Sequence, residues 1–433
     1  MSFFESLRQG TFSFIDTFKG KPLKKHLEDI KKGFGHVTSN DHLLHILKHA
    51  KDTTDFYKSE NPQSGIESFP VINKSILKDH TSGFLSDRFK LDELIPTITS
   101  GSTGTPFKSY QNKNKKLRNT ADTIFFAHLT GYDVGNKLYY FKIWSRNNRK
   151  TKFLQKVQNV VPIDVLDLKK NAGQIIKKLN RNTNSISLLG YVSAFETLYK
   201  WLMENPNISI NAKINSAITM SEGLDLETKR LLQKKFNCDI YSRYSNVENG
   251  ILAQQIPGSG ECFLINTMSY YFEILDIETD KVLPYGSLGR IVVTDLYNEA
   301  MPFIRYDTGD IGEIEIKKIE GKDYHVLSKI EGRKLDQIFN TKGELISSYI
   351  VYKNMWQYTE IEQYQFVQED INKYSLKISL KGEFRRQDQL INEFKSYLGE
   401  DAKLSIKYVD EIPLLDSGKR KKVVNLMKLK QGN

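Results

Sequence analysis

The fold is decided by the stretch Ile186-Ser187-Leu188-Leu189-Gly190, a short apolar run typical of a buried strand. A helix pattern follows over residues 195–202, with its apolar side chains on one face. The alternation continues with a strand pattern at 214–218, a helix pattern at 224–236 and a strand pattern at 239–243. Strands that alternate with helices of this length predict βαβ units and a largely parallel sheet.

The segments on either side of this alternation have different patterns. Helical spacing dominates roughly the first 90 residues. Strand and turn patterns fill residues 262–330, which predicts a β-rich subdomain, with a distorted barrel as one arrangement. We therefore predict an α/β fold: a large N-terminal α/β domain over residues 1–334 that includes this subdomain, and a small C-terminal α+β domain over residues 335–433.

The composition is that of an ordinary globular protein, with 433 residues of which 39% are hydrophobic and 27% charged. No apolar run approaches the roughly 20 residues that a membrane-spanning helix needs, so we expect no transmembrane segment. The phenylalanine-rich start is interrupted by Glu5, Arg8 and Asp16, which argues against a secretory signal. Cys238 and Cys262 lack metal-ligand spacing and predict buried thiols in a reducing compartment, so we expect a cytoplasmic protein.

The net charge of +11 admits several partners. A basic balance suits nucleic acid, an anionic membrane surface or a phosphate-rich small substrate, and it equally suits a solvated lysine-rich surface. The chain has neither an aromatic-basic RNA-binding signature nor zinc-finger spacing, so we expect no nucleic-acid partner.

A hydroxyl- and glycine-rich loop precedes Pro106 and Lys108. It consists of Thr99, Ser100, Gly101, Ser102, Thr103 and Gly104. Such a loop can direct several N–H and O–H donors at a polyphosphate. It is not a Walker loop, because no Gly-Lys-Ser/Thr follows its glycines. The same composition also occurs on ordinary surface loops, so the segment alone leaves both interpretations open.

Two carboxylates follow patterns that suit a ligand site. Glu248 ends a segment that begins at Arg243, directly after a predicted strand, and ligands of open α/β sheets lie beyond the carboxyl ends of strands. A carboxylate there can hold Mg²⁺ against phosphate oxygens, or it can be a surface glutamate in a turn. Asp310 follows a Thr-Gly pair, which suits a fixed acceptor for ribose hydroxyls and equally suits a local β-turn.

Two cations complete the set of candidates. Arg333 follows Gly332, and its planar guanidinium can clamp ribose or phosphate, although surface arginines are common. Lys419 follows a Ser-Gly turn that exposes its ammonium, although it also begins a run of basic residues that suits a solvated surface.

Together these five segments, in this order, resemble the adenylate-forming superfamily of acyl- and aryl-CoA synthetases, adenylation domains and luciferases. The similarity runs from about residue 96 to residue 424. It is greatest to the phenylacetate–CoA ligase branch, including its relatives from capsular polysaccharide gene clusters. The resemblance implies a mobile C-terminal domain that acts as a lid. Its acidic hinge residue falls at Leu335 when counted from Arg333 and at Asp336 when counted from Gly343.

The resemblance also implies a role for each segment. The loop at 99–104 would close over the pyrophosphate of ATP, with Thr103 as a catalytic residue. Tyr244 would lie near adenine and Ser245 near the α-phosphate or acyl group. Glu248 would hold Mg²⁺ and take part in catalysis.

The remaining roles follow from the same likeness. Asp310 would bind the ribose hydroxyls, Arg333 would contact the nucleotide, and Lys419 would be the catalytic lysine of the C-terminal domain. A further segment would border adenine, and it consists of Ser221, Glu222 and Gly223. Asn246 and Val247 depart from the small or hydroxyl residues that the family usually has before its glutamate.

The implied reaction has two steps. ATP activates a small carboxylic acid as an acyl-adenylate, and CoA then takes the acyl group. Two alternatives stay open: transfer to an amine or sugar in surface polysaccharide biosynthesis, and a non-catalytic relative that binds nucleotide. A homodimer is compatible with the resemblance. The candidate walls of the acyl pocket, each of which also suits an ordinary core position, are Tyr140, Phe141, Trp144 and Tyr191.

Overall fold

The computed structural model describes residues 3–35, 40–99, 107–144, 149–333, 338–346, 351, 355, 358, 360–413 and 422–427. These residues fall into two compact units. The first contains the described residues of 3–99, 107–308 and 313–329, and the second those of 309–312 and 330–427. The domain boundary predicted between 334 and 335 falls outside the described residues and stays a prediction.

Ten α-helices are present in the described part of the chain. They are α1 (Phe3–Phe18), α2 (Pro22–Gly33), α3 (Asn40–Thr53), α4 (Lys74–Asp79), α5 (Lys113–His128), α6 (Lys152–Val157), α7 (Leu168–Asn180), α8 (Val192–Glu204), α9 (Leu226–Phe236) and α10 (Gln387–Leu398). Short polar side chains begin several of them. Asn73, Asn112 and Asp225 accept hydrogen bonds from backbone N–H groups in the first turns of α4, α5 and α9.

The strands of the first unit are β1 (Ile95–Thr99), β2 (Phe107–Gln111), β3 (Lys137–Lys142), β4 (Val160–Asp164), β5 (Ile186–Tyr191), β6 (Ile214–Met220), β7 (Ile240–Asn246), β8 (Gly250–Gln254), β9 (Phe263–Ile265), β10 (Tyr270–Leu275) and β11 (Leu288–Asp295). Two long strands follow, β12 (Tyr306–Ile319) and β13 (Lys322–Arg333). One sheet has the order β10-β11-β12-β13-β9-β8-β7-β6-β5-β3-β4, and β1 and β2 form a separate antiparallel ribbon.

The βαβ units predicted from the sequence are present. Strands β4, β3, β5, β6 and β7 run parallel to one another, and helices pack on this part of the sheet. On one face, buried side chains of α7, α8 and α9 pack on the strands, with Phe195 and Leu198 among them. A separate core joins Phe125 and Phe126 of α5 to Leu23 and Ile30 of α2, and it includes Ile251 of β8. The predicted α/β class is therefore confirmed.

The β-rich segment continues the same sheet rather than closing on itself. Strand β8 runs antiparallel to β7, and β9 runs antiparallel to both β8 and β13. The parallel half and the β-rich half thus share one set of backbone hydrogen bonds. The alternation of apolar and polar residues predicted these strands correctly, but it does not specify which neighbour each strand pairs with.

The second unit has its own core. Its strands are β14 (Ile338–Phe339), β15 (Leu345–Ile346), β16 (Ile361–Asp370), β17 (Lys373–Leu380), β18 (Lys403–Tyr408) and β19 (Val423–Asn425). Four of them form a sheet in the order β18-β17-β16-β19, and α10 packs on it. Phe366 of β16 stacks on Phe394 of α10 with ring centroids 5.4 Å apart. This is the small α+β arrangement that the sequence predicts.

Two further expectations can be compared with the described residues. No helix among them is both long and apolar enough to cross a membrane. Cys238 and Cys262 are free and half-buried, whereas the sequence predicts buried thiols. Cys238 packs at the edge of the α7–α9 core, where burial raises its thiol pKa to about 12.

Candidate functional site

The carboxyl ends of β6 and β7 bring two of the predicted segments to one sheet edge. These strands are parallel neighbours, and Met220 pairs with Arg243. Ser221, Glu222 and Gly223 follow β6 at this edge, and Tyr244 and Ser245 end β7 beside them. Ligands of open α/β sheets lie beyond this edge of the strands, so these two segments stay candidates for a ligand site.

Glu248 lies in the turn between β7 and β8. Asn246 stabilises the turn by accepting a hydrogen bond from the backbone N–H of Asn249 at 2.8 Å. The side chain of Val247 is exposed, whereas Glu248 is only 6% exposed. A carboxylate at this depth requires polar partners, because desolvation of an unpaired charge is costly.

Tyr306 supplies the first partner. Its hydroxyl donates to Oε1 of Glu248 at 2.7 Å, and the tyrosine is itself buried. The preceding residue, Arg305, has φ of +50°, a left-handed conformation that few non-glycine residues adopt. Its guanidinium forms a 3.0 Å ion pair with Glu273, and its backbone N–H donates to the Thr294 hydroxyl. These contacts hold the unusual backbone and fix where β12 begins.

Lys74 supplies the second partner, and no sequence pattern singles it out. Its Nζ lies 3.8 Å from Oε1 of Glu248. The backbone of Ile72 pairs with Tyr306 in a parallel β-bridge, and Asn73 then caps α4, whose first residue is Lys74. The lysine reaches the glutamate through tertiary pairing between segments that are far apart in the chain, so local periodicity carries no signal for it.

A second hydrogen bond joins the same two motifs. The hydroxyl of Tyr244 donates to Oγ1 of Thr308 at 3.2 Å, and Thr308 donates to the carbonyl of Ile291 at 2.9 Å. Thr308 therefore links β7 to β11 and β12. The segments at 244–248 and 306–308 are thus in direct contact.

The backbone of the glutamate turn rests on buried polar side chains. Gln111 donates through Nε2 to the carbonyl of Glu248 at 2.9 Å. Tyr270 donates its hydroxyl to the carbonyl of Asn249 at 2.5 Å, and Lys115 donates to that same tyrosine at 2.9 Å. Charged and amide groups from α5, β2 and β10 therefore support the position of Glu248 from inside the unit.

The segment after β6 has a structural partner. Ser221 has φ of +71°, which turns the chain sharply after the strand. The carboxylate of Glu222 accepts the backbone N–H of Ser193 at 2.8 Å and its hydroxyl at 3.2 Å. Ser193 lies in the first turn of α8, so Glu222 caps this helix and compensates the positive end of its dipole.

Replacing Glu222 with alanine should therefore lower the free energy of unfolding by about 1 kcal/mol, because α8 loses its capping acceptor. Urea unfolding followed by circular dichroism measures the change. Glu28→Ala, at an exposed position in the middle of α2, is the matched control and should stay within about 0.5 kcal/mol of the parent. Equal effects of the two substitutions would contradict the capping role.

The candidate acyl-pocket residues divide into two groups. Phe141 is fully buried against Phe195 in the helix-covered core, so it is not a pocket wall. Tyr140 and Trp144 are half-buried and meet edge to face at 5.4 Å, with the ammonium of Lys142 over both rings. Tyr191 is also half-buried.

Arg243 adds a charge near Tyr140. The residue is 8% exposed, and its Nε donates to Gln254 at 2.7 Å. Among the described residues no carboxylate lies within ion-pair distance of it. Burial lowers the pKa of Arg243 to about 10, so the guanidinium keeps its charge at neutral pH. Burial raises the pKa of Tyr140 to about 12, an effect that the nearby Arg243 charge opposes.

The remaining predicted residues lie in other parts of the chain. Thr99 ends β1 and pairs with Phe107 of β2, so the two strands flank the hydroxyl-rich loop. Asp310 lies in β12, directly after Gly309 with its φ of +78°, and Arg333 ends β13. The predicted residues outside the described part of the chain are Ser100, Gly101, Ser102, Thr103, Gly104, Leu335, Asp336 and Lys419.

The two units together have the fold of the acyl-CoA ligases of the adenylate-forming superfamily. A solved structure of 2-hydroxyisobutyryl-CoA ligase, in the postadenylation state with an acyl-AMP, superposes with a TM-score of 0.71. The superposition covers 90% of both chains at 15% identity. The same ligase has also been solved with its acyl-AMP and CoA.

Sequence comparisons give relatives of the kind expected. Protein CapK of Staphylococcus aureus is 24% identical over 413 residues, which cover 90% of this chain and 89% of that protein. A phenylacetate–coenzyme A ligase of Aromatoleum evansii is 41% identical over 69 residues, covering 16% of this chain and 15% of the ligase. The model of the CapK C-terminal domain family matches residues 338–426. The predicted resemblance to this superfamily is therefore confirmed.

Proposed function

We propose that this protein activates a small carboxylic acid with ATP and transfers the resulting acyl group to CoA. The observation that carries this proposal is the direct contact between the 244–248 and 306–308 segments, made by Tyr306 on Glu248 and Tyr244 on Thr308. The fold shared with acyl-CoA ligases supports the same assignment.

The first step would join the acid to AMP. A carboxylate oxygen of the acid attacks the α-phosphorus of ATP, a P–O bond forms, and pyrophosphate leaves with the electron pair. Charge develops on phosphate oxygens, so catalysis depends on positioning and electrostatic stabilisation. We assign the loop at 99–104 to the pyrophosphate, with Thr103 catalytic, and Lys419 to the developing charge. We assign Asp310 to the ribose hydroxyls.

The nucleotide also needs contacts to its base. We assign Tyr244 and the segment 221–223 to the adenine side of the site, because they lie together beyond β6 and β7, and Ser245 to the α-phosphate or acyl group. The Glu222 carboxylate already caps α8, so the backbone of this segment is the better candidate for the contact. Arg333 would contact the nucleotide from the end of β13.

Magnesium fits the residues around Glu248. Within the described part of the chain, the side-chain contacts of Glu248 are made through Oε1 alone, which leaves Oε2 for a ligand. No cluster of three or more His, Cys, Asp or Glu side chains occurs among the described residues. Mg²⁺ commonly binds through one carboxylate, phosphate oxygens and water. When bound, it would neutralise phosphate charge, with Glu248 holding it.

The second step would exchange AMP for a thiol. The acyl-adenylate is a mixed anhydride, so the CoA sulfur attacks its carbonyl carbon and AMP leaves. One site must exclude water in the first step and admit a thiol in the second. We propose that the small C-terminal domain supplies this alternation by turning about residues 334–336. A cytoplasmic location and a homodimer also belong to this proposal, and the two free cysteines agree with a reducing compartment.

The acyl side of the site favours an acid with a second polar or anionic group. Burial of a guanidinium without a carboxylate partner costs desolvation free energy, and a ligand oxygen that accepts its hydrogen bonds would offset that cost. Arg243 is a buried guanidinium of this kind. Tyr140 lies close enough that the positive charge of Arg243 opposes the rise in the tyrosine pKa. The aromatic rings of Tyr140 and Trp144 would contact the rest of the acyl chain.

An ATP–pyrophosphate exchange screen tests the proposed function. It should compare aryl, fatty, hydroxy and dicarboxylic acids, each with and without CoA. Exchange with one acid class, and thioester formation once CoA is added, are the expected results. Absence of exchange with every acid would contradict the assignment and favour a nucleotide-binding protein. Acyl transfer to a sugar or amine without CoA would favour the alternative acceptor.

Replacing Lys419 with alanine should lower the exchange rate about 10²-fold while nucleotide binding is largely retained, because the lysine would act on charge that develops in the reaction. Exchange assays give the rate, and a fluorescent ATP analogue gives the dissociation constant. The neighbouring Lys421→Ala serves as the matched control. Unchanged exchange in the Lys419 variant would remove this lysine from the catalytic group.

Replacing Arg243 with methionine should raise the KM for the preferred polar acid by about tenfold or more and change the KM for ATP little, because a charge-assisted hydrogen bond to the acid is lost. Plain monocarboxylic acids of the same length should be affected less. An equal rise in both KM values would instead place the guanidinium near a phosphate of ATP.

A further inference from the structure

We propose that α1, together with the basic residues around it, is a docking surface for an anionic lipid membrane. This proposal is independent of the catalytic assignment. Its first observation is the exposure of large apolar side chains on this helix, with Phe3 77%, Phe14 70% and Phe18 87% exposed. Single exposed apolar residues are normal on protein surfaces, but a run of phenylalanines on one helix is not.

These side chains form one stripe. At 3.6 residues per turn, the exposed apolar residues of α1 fall within an arc of about 120°. The stripe consists of Phe3, Phe4, Leu7, Phe14, Ile15 and Phe18. The opposite side of the helix faces the protein, where Glu5 is buried and Phe12 packs near α2 and α5. The helix therefore binds the unit through one face and presents a largely apolar face outward, and the exposed Thr11 is the one polar residue within that arc.

The attachment of α1 is tight at one point. Its backbone crosses Gly135 so closely that a Cβ on this glycine would lie 2.5 Å from the carbonyl oxygen of Glu5. Gly135 also has φ of +103°, which other residues rarely adopt. The outward direction of the stripe is thus set by a specific packing contact.

Positive charge surrounds the end of the stripe. Lys19, Lys21 and Lys25 are exposed in the turn after α1 and in the first turn of α2. The nearby Asp16 accepts the backbone N–H groups of Leu23 and Lys24, both at 3.0 Å, so its charge is directed at the helix start. An apolar face rimmed by lysines matches the acyl and phosphate layers of an anionic membrane surface.

A second helix near Gly135 has the same character. Phe153 of α6 is 75% exposed, and Leu154 and Val157 are also exposed. Asn159, just after this helix, donates to the carbonyl of Gly135 at 2.9 Å. Exposed basic residues lie just before α6 and within it, and they are Arg149, Lys150, Lys152 and Lys156. Protein–protein interfaces are depleted in lysine, so this composition favours lipid over a protein partner.

Vesicle sedimentation with the full chain tests the proposal. The probes are phosphatidylcholine vesicles and vesicles of equal parts phosphatidylcholine and phosphatidylglycerol. We expect binding to the mixed vesicles that weakens as salt is added. The double variant Phe14→Ser, Phe18→Ser should bind at least about tenfold more weakly, and the Lys19→Glu, Lys25→Glu variant about fivefold more weakly per lysine.

Three controls separate lipid docking from misfolding and from self-association. Met203→Ser removes an exposed apolar side chain from α8 and should leave vesicle binding unchanged. Circular dichroism should show that all variants fold, since the substituted side chains are exposed. Absence of sedimentation with the mixed vesicles, or equal binding to both vesicle types, would overturn the proposal. A dimer that Phe14→Ser, Phe18→Ser converts to a monomer would also overturn it, because a second copy would then cover the stripe.

Discussion

Replacing Glu248 with glutamine is expected to lower kcat/KM for acid-dependent ATP–pyrophosphate exchange by roughly 10²- to 10³-fold. Glutamine has the same size, and its amide oxygen can still accept the 2.7 Å hydrogen bond from Tyr306. The substitution therefore removes the negative charge and leaves the buried geometry almost intact. The proposed site loses its anionic ligand for magnesium, so we also expect half-maximal exchange to require a higher Mg²⁺ concentration.

Two further variants separate charge from position. Tyr306→Phe keeps the carboxylate and removes one hydrogen bond that orients it, so its effect should be about tenfold smaller than that of Glu248→Gln. Glu28→Gln, in an exposed helix turn, is the control for loss of one carboxylate and should leave exchange unchanged. If Glu248→Gln retained exchange within about twofold, with folding confirmed by circular dichroism, Glu248 would have no part in the reaction.

The sheet edge formed by the carboxyl ends of β6 and β7 was predictable because its signals are local. Buried parallel strands appear as short apolar runs, and β5, β6 and β7 lie where those runs predict them. The turn that carries Glu248 follows β7 directly, so its place at the strand ends follows from the topology. The capping role of Glu222 was not predictable, because the N-terminus of α8 reaches it only in the folded sheet.

Other features depend on contacts between distant segments. Lys74 meets Glu248 only because Ile72 pairs with Tyr306, and neither residue has a pattern that reveals the partner. Strand β4 contains Pro162 in its middle and lies at the edge of the sheet. A proline is tolerated there, because an edge strand has no neighbour on one side to which an N–H group would donate. The exposed phenylalanines of α1 were visible in the sequence, but their orientation was not, since an amphipathic pattern does not show which face is covered.

Charged pairs inside the first unit give the largest expected effect on stability. Lys115 and Asp295 are both fully buried, with Nζ and Oδ2 2.6 Å apart. Burial lowers the pKa of Lys115, and the negative charge of Asp295 opposes that change. Asp295 also accepts the backbone N–H groups of Tyr297 and Asn298. The pair therefore anchors the chain between β11 and the following turn. Lys115 also donates a hydrogen bond to the Tyr270 hydroxyl, which donates to the carbonyl of Asn249, the residue after Glu248.

Replacing Asp295 with asparagine should lower the free energy of unfolding by about 3–5 kcal/mol, because the Lys115 charge would stay buried without its partner. The folded variant would bind that proton less tightly than the unfolded chain does, so its stability should recover as pH rises. Urea unfolding followed by circular dichroism at several pH values measures both effects. Lys24→Met, which removes an exposed ion pair, is the control and should change stability by at most about 1 kcal/mol. The double variant Lys115→Met, Asp295→Leu removes both charges and should be more stable than Asp295→Asn. If the double variant were as unstable as the single one, packing and not the unpaired charge would be responsible for the loss of stability.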